Sequence, residues 1–307
     1  MNYSNWMKSL GSKISSKTIF EIAIPGSHDS CTYSITDQSG FSPDAPAFVD
    51  YIKNIPGISA IVKKVVADWA ITQGRTVTEQ LNDGIRYFDL RTCLNTDDDN
   101  MYIVHAMYGM NVFDVIDEIS AFTKANTEEI VLLDFNHFYE MTNSSHDQLY
   151  NKLVSAFGDT MIPQSSCLTD TIGDFWKNKK NVIVFYDEAD MAAKHSDLCS
   201  ENQIDSPWPN VTTADALKSA LEANLKAKPN GIVYVTQGII TEDGEIIAEG
   251  LIPFSGNPSS MEELASTITP EVVSWLPGWQ SDYGLNVVIC DWYQKADYIS
   301  TVVGFNQ

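Results

Sequence analysis

The chain has 307 residues, 44% of them hydrophobic, enough to build a full core and far from the composition of a disordered segment. Its net charge of -22, from 41 acidic against 19 basic residues, argues against nucleic acid as a partner and against a broad electrostatic hold on anionic lipid. A length of this order suits one α/β barrel, so residues 1–307 are read as a single domain.

In chain order, short apolar runs bounded by turn residues recur. They fall at 20–25 (FEIAIP), 85–93 (IRYFDLRTC), 101–105 (MYIVH), 130–138 (IVLLDFNHF), 182–186 (VIVFY), 232–237 (IVYVTQ) and 287–293 (VVICDWY). Several are nearly continuous rather than alternating, the pattern of strands buried on both faces in a parallel sheet. Between them, residues 112–124, 146–157 and 213–227 carry apolar positions at helical spacing. Some seven strands alternating with helices predict an irregular (β/α)8 TIM-type barrel. Residues 187–210 and 242–269 are expected to be surface excursions.

Met1–Leu10 is polar and no run is long enough to span a bilayer, so neither a signal peptide nor a transmembrane helix is expected. Cys31, Cys93, Cys167, Cys199 and Cys290 are odd in number and widely spaced, consistent with reduced thiols in a cytoplasmic protein that meets membranes only peripherally. Residues 58–69 place Ile58, Ile61, Val62, Val65, Val66 and Trp69 on one helical face, with Lys63 and Lys64 opposite. That stripe suits either an interfacial helix or a helix packed on the sheet.

Polar residues gather where strands end. His28 and Asp29 follow FEIAIPGS; Asp89 and Arg91 end IRYFDLR; His105 ends YIVH; Asp134 and Asn136 end VLLDFN; Asp291 follows VVIC. The C-terminal strand ends are where barrel enzymes carry chemistry. His28 can shuttle protons near neutral pH. Alternation puts Tyr87, Asp89 and Arg91 on one side of their strand, where the carboxylate can hold a guanidinium that grips phosphate. A base, an acid, a phosphate clamp and an orienting carboxylate make up a phosphoryl-transfer site. Taken alone, the Asp89–Arg91 pair reads equally well as structural, and His28, His105 and Asp291 each read more readily as solvated, capping or structural residues. His137 alternates to the far side as a packed histidine, and His146 and His195 sit in polar stretches that suggest solvation.

The motifs IPGSHDS (24–30), TQGRTVTEQLNDGIRYFDLR (72–91), EEIVLLDFNHFY (128–139), Trp208–Pro209 and VVICDWY (287–293) together resemble the X-region barrel of phosphatidylinositol-specific phospholipase C. The likeness covers residues 5–300 and is greatest to small eukaryotic proteins containing only that domain. It implies His28 as the base that takes the inositol 2-hydroxyl proton and His105 as the acid that protonates the leaving diacylglycerol oxygen. Asp291 then orients the base and Asp29 supports the acid, while Arg91, beside Asp89, stabilises the phosphate. The implied product is inositol 1,2-cyclic phosphate, and the implied partner is a phospholipid with an inositol-type head group met transiently at a membrane surface. Calcium-dependent members carry a carboxylate where this chain has Arg91, so no metal and no cofactor is expected. Bacterial members hold inositol with a lysine and an arginine where this chain has Asn136 and Tyr186. Those two positions are the candidate substrate-binding residues, and they loosen the choice of head group. A non-catalytic phosphoinositide-binding protein and a barrel phosphodiesterase for another head group remain as alternatives.

Overall fold

The computed structural model of the chain describes residues 2–45, 62–241, 244–252 and 256–307. Its core is one mixed sheet. Seven strands run parallel in the spatial order β7 (Ile204–Asp205), β8 (Val233–Gln237), β9 (Val287–Ile289), β1 (Ile24–Ser27), β2 (Tyr87–Asn95), β5 (Val131–Tyr139), β6 (Val182–Tyr186). No pairing joins β6 to β7 among the described residues; Phe185 of β6 bridges Cys199, in the segment that precedes β7. The architecture is α/β and barrel-like, as expected.

Side-chain parity along the strands sorts two cores. Ile24, Tyr87, Leu132, Ile183, Phe185, Val233, Val235, Val287 and Ile289 share one buried cluster, closed below by Trp6, Met7 and Leu10 of α1 (Trp6–Leu10). Their neighbours Phe88, Leu133, Val184, Tyr186, Tyr234 and Val288 pack outward in a second cluster. There they meet the apolar faces of α4 (Val112–Ala125), α5 (Asn143–Phe157), α8 (Ala214–Ala227) and α10 (Met261–Tyr283). Gly26 fits the inner cluster because a Cβ there would stand 2.8 Å from both Ile289 and Tyr87.

Local sequence explains the helix ends. Thr76 and Glu79 close a capping box on α3 (Val77–Asp83), and Gly84 ends it with a left-handed φ of 119°. Arg86 is fully buried and pairs with Glu129 at 2.7 Å, so two charges of the sequence motifs belong to the bottom of the sheet rather than to a site.

Seven strands are parallel, the number expected for the whole sheet, but the sheet has nine strands and its membership differs. The run at 101–105 is β3 (Asn100–His105), which returns antiparallel to β2 and continues into β4 (Met107–Asn111). The missing parallel strand is β7, two residues long, inside a stretch expected to be excursion. Of the other expected excursion, α10 begins at Met261 and buries Met261, Ala265 and Ile268. The run at 20–25 starts with a 3-10 turn (Ile19–Glu21), leaving only its end for β1.

Of the expected helix at 58–69, residues 58–61 lie outside the described residues. The remainder is α2 (Val62–Ala70), whose Val65, Val66 and Trp69 are buried against Met107 and Met261. The described part of the stripe is therefore packing surface. No helix among the described residues is long and apolar enough to cross a membrane. All five cysteines are buried and free.

Candidate active site

Inner-facing parity places residues from several strands at the C-terminal rim. These are His28 after β1, Asp89 and Arg91 on β2, Asn136 on β5, Ser206 after β7, Gln237 ending β8 and Asp291 after β9. With the exception of Asp291 they line a cleft of about 430 Å³, joined by His105, His137, Trp208 and Thr241.

His28 is held from below and behind. Its carbonyl accepts from the Gln73 amide, which also reaches the Cys290 carbonyl and so ties the ends of β1 and β9 together. The Thr72 hydroxyl donates to the carbonyls of His28 or Asp29. The ring Nδ1 lies 2.7 Å from Asp291 Oδ1, and a carboxylate can only accept, so Nδ1 carries a proton and Nε2 is the exchanging nitrogen. Nε2 stands 3.3 Å from Asp29 Oδ2 and 4.0 Å from Asp89 Oδ2. Burial pulls the pKa of His28 down, but the charges of Asp29, Asp291 and Asp89 and the bond to Asp291 outweigh it, and the value is pushed up to about 9.

Asp29 is the hub. It is 1% exposed and sits at a left-handed φ of 39°, a region that aspartate tolerates better than most side chains, with its N–H donating to Asp89. Arg91 Nε approaches its Oδ1 to 2.8 Å, and His105 Nε2 its Oδ2 to 3.6 Å. Burial alone would raise its pKa; Arg91, His28 and His105 together lower it to about 2, so Asp29 is a carboxylate at any working pH. The same Asp29 and Asp89 charges hold Arg91 above the ordinary arginine value against its own burial.

His105 reaches the rim from the opposite direction. β2 rises past the rim to Asn95, β3 runs back down, and His105 ends it with Nδ1 bonded to the Ala70 carbonyl at 2.9 Å. That bond fixes a proton on Nδ1 and turns Nε2 toward Asp29. The two imidazoles stand 6.4 Å apart at an interplanar angle of 72°.

No protein-family model matches the chain. Among curated proteins, PI-PLC X domain-containing protein 2 of Mus musculus is 33% identical over 310 residues, covering 99% of this chain and 87% of that protein. PI-PLC X domain-containing protein 3 of Homo sapiens is 30% identical over 313 residues, covering 100% of this chain and 94% of that one. The chain belongs to the PI-PLC X domain-containing proteins. Its fold is also that of the phosphatidylinositol-specific phospholipase C of Listeria monocytogenes, with a TM-score of 0.68 at 17% identity over the whole of both chains. The Staphylococcus aureus counterpart gives 0.70 at 17% identity, covering 100% of this chain and 98% of that one.

In this X domain, His28, Asp29, Asp89, Arg91, His105, Asp291 and Asn136 come together as the sequence suggested. Asn136 donates to Asp89. Tyr186 does not join them. It faces outward with Val184, 1% exposed, packs on Phe135 and Phe138, and bonds His146 at 2.7 Å. Parity explains this: on β6 the inner face belongs to Ile183 and Phe185. His146 is correspondingly buried rather than solvated, and His195 is half-buried, stacked on Tyr150 with ring centroids 3.5 Å apart.

His137 is exposed and lines the cleft, against the expectation of a packed residue. The pairing of β2 with β5 runs Leu90 to Phe135, then slips to Arg91 with His137. This bulge sets two residues of β5 against one of β2 and aims both Asn136 and His137 at the mouth.

Four cleft residues escaped the sequence reading. Gln237 ends an apolar run with inner-face parity and was discoverable, but it is not ionisable. Its amide donates to the Ser206 carbonyl at 2.9 Å and lies 3.0 Å from the Ser206 hydroxyl. Ser206 follows a strand too short to announce itself, and Thr241 lies in a loop. Trp208, recognised only as part of a motif, is 40% exposed and stacks on the His28 ring at 5.7 Å and 21°.

Among the described residues, His28, Asp29 and Asp89 have ligand atoms close enough together to hold a metal. The Arg91 guanidinium already stands against Asp29 there, so a divalent cation would meet a fixed positive charge.

Proposed function

We propose that this protein is a phosphodiesterase that cleaves phosphatidylinositol-like lipids by paired imidazole catalysis. The observation that carries the reading is the pair of histidines across one cleft, each with Nδ1 tied back and Nε2 toward Asp29, which Arg91 holds from its other oxygen.

A phosphodiester bound against Arg91 has its anionic oxygens facing the guanidinium, whose positive charge stabilises the charge that builds in the transition state. His28 Nε2 takes the proton of the inositol 2-hydroxyl, and that oxygen forms a bond to phosphorus. The bond from phosphorus to the glycerol oxygen breaks, and His105 Nε2 gives its proton to the departing oxygen. Diacylglycerol and inositol 1,2-cyclic phosphate result. Asp291 holds the His28 ring and stabilises the imidazolium it becomes; Asp29 does the same for both rings.

A base with a pKa of about 9 is largely protonated at neutral pH, so kcat/KM should climb with pH through that range. Arg91 takes the charge-stabilising role, and no metal step is needed.

The test is release of soluble head group from phosphatidylinositol vesicles in excess EDTA, with His28→Ala and His105→Ala alongside. Release from the native protein, reduced ~10²–10⁴-fold in both variants with folding intact, is expected. No release by the native protein, or near-normal release by either variant, would refute the reading.

A further inference from the structure

His105 stands where its own strand has lost the support of β2. The ladder between β2 and β3 has its last partners at Thr92 and Ile103, two residues before His105, and His105 itself pairs with Met107 at the start of β4. The chain therefore reverses on Ala106, which takes a left-handed φ of 57°. An alanine resists that region because its Cβ crowds the following carbonyl, so contacts outside the turn have to hold it there.

Residues 40–45 supply those contacts. Phe41 bridges Met107, the Tyr108 N–H donates to the Gly40 carbonyl at 2.9 Å, and the Ser42 N–H donates to the Ala106 carbonyl at 3.2 Å. The Ala106 N–H goes to Asp44, whose Oδ2 accepts it at 3.0 Å while Oδ1 accepts from the Ser42 hydroxyl. Ala106 is 7% exposed, so without Asp44 that N–H would lose its partner away from water. On the other side of the ring, the Ala70 carbonyl accepts from His105 Nδ1 at 2.9 Å. Ala45, Ala70, Ala106 and Met107 share one buried cluster, so the ring's acceptor and the turn that carries the ring are packed together.

We propose that Asp44 is a positioning residue for His105, holding Ala106 in the left-handed turn and so aiming His105 Nε2 at the departing oxygen. The inference rests on the phosphodiesterase reading. The role needs an acceptor rather than a charge. In Asp44→Asn the amide oxygen still accepts from Ala106 and the amide N–H donates to the Ser42 hydroxyl, whereas Asp44→Ala loses both bonds. The Asp44 charge also acts on Arg91, which offers a second route to the site. The leaving group separates the two routes. An alkoxide needs the proton of His105 and an aryl oxide departs without one, while both diesters need Arg91.

The test is kcat on the butyl and p-nitrophenyl phosphodiesters of inositol for the native protein and the Asp44 variants, with folding checked by thermal melts. Asp44→Ala should slow the butyl diester about tenfold or more, part of the ~10²–10⁴-fold share of a general acid, and slow the nitrophenyl diester less than about twofold. Adding Ala106→Gly to Asp44→Ala should recover most of the loss, because glycine takes the left-handed turn unaided. Asp44→Asn should stay within about threefold of the native protein on both diesters. Equal losses on the two diesters would overturn the assignment. So would a tenfold loss in folded Asp44→Asn, a result that counts even where Asp44→Ala does not fold.

The His105 Nδ1–H resonance, assigned by its loss in His105→Ala, reads the geometry without turnover. Its exchange with water should be slow in the native protein and in Asp44→Asn, and at least about tenfold faster in Asp44→Ala. Unchanged exchange in Asp44→Ala removes the positioning role, whether or not either diester is cleaved. Faster exchange in a variant of a protein that cleaves neither diester keeps Asp44 as the support of the His105 turn and refutes the proposed reaction.

Discussion

Replacing Asp291 with Asn removes a charge 2.7 Å from His28 Nδ1 while keeping the shape of the side chain. The His28 pKa rises from 6.5 to about 9, with Asp29 and Asp291 the two leading causes of the rise. An opposite charge at such a distance is worth ~1–3 pKa units, so the variant should bring His28 down to between ~6 and ~8. In the native protein about one His28 in a hundred is neutral at pH 7. The ascending limb of kcat/KM should therefore sit near 9 and move at least one unit toward acid in Asp291→Asn. The plateau should fall ~10²–10⁴-fold, because the imidazolium formed during proton transfer has lost its partner. Stability gives a second readout with a definite sign. A histidine raised above its unfolded value contributes stability that is complete below pH 6.5 and is lost as pH rises through about 9. The raised value corresponds to about 3 kcal/mol, so denaturant midpoints should drop across that window in the native protein and drop less in the variant. An ascending limb that stays near 9 in Asp291→Asn would refute the electrostatic account of the base.

Trp208→Ala removes an exposed ring stacked on His28 and should raise KM ~2–10-fold with little effect on unfolding, as measured by steady-state kinetics and thermal melts. Tyr186→Phe deletes the bond to His146 in the outer core and should cost ~0.5–1.5 kcal/mol of stability while leaving turnover unchanged, since Tyr186 lies outside the cleft. A clear loss of activity there would restore it as a substrate contact. Arg91 supplies the only lysine or arginine charge among the described residues lining the cleft, and the other polar lining includes the neutral groups of Asn136, Ser206, Gln237 and Thr241. Each phosphate on the inositol ring adds a charge of about -1.5 to -2, so the ring-unphosphorylated lipid should be hydrolysed at least tenfold faster than its bisphosphate in mixed vesicles. The reverse preference would show that cations outside this lining bind the ring.

The sequence announced the fold where strands are long and continuous. β6 coincides with its predicted run, and α4 and α8 agree to within one residue at either end. It failed where pairing partners rather than local pattern decide the element. MYIVH reads as any buried strand, and only its pairing with β2 makes it antiparallel. β7 has two residues, too few for any periodicity. In the site the ionisable residues at strand ends were legible because charge at the end of an apolar run has few structural explanations. Neutral Gln237 and Ser206 carry no such signal. Tyr186 shares the outward parity of Val184, which the run itself carries, and the family likeness is too loose at this position to place a substrate contact. His137 was not readable at all, since the slip in register after Leu90 depends on how two distant strands meet.

The hairpin of β3 and β4 solves a geometric problem that a regular barrel leaves open. All parallel strands deliver residues to the rim from below, so a second imidazole on a neighbouring strand would point along the same direction as His28. Bringing His105 down from above turns its ring 72° away from that of His28, with Arg91, the proposed phosphate clamp, on the strand that begins the excursion. Asp29 then touches His28, Arg91 and His105 at once. Its charge raises the proton affinity of His28 and its carboxylate stands against Arg91, so the roles proposed for the two are not independent. Removing Asp29 should disturb all three partners, and losses in double variants with Arg91 should fall well short of the product of the single losses. Full multiplicativity in those variants would mean that Asp29 and Arg91 act separately, and the hub would be a packing arrangement rather than a catalytic one.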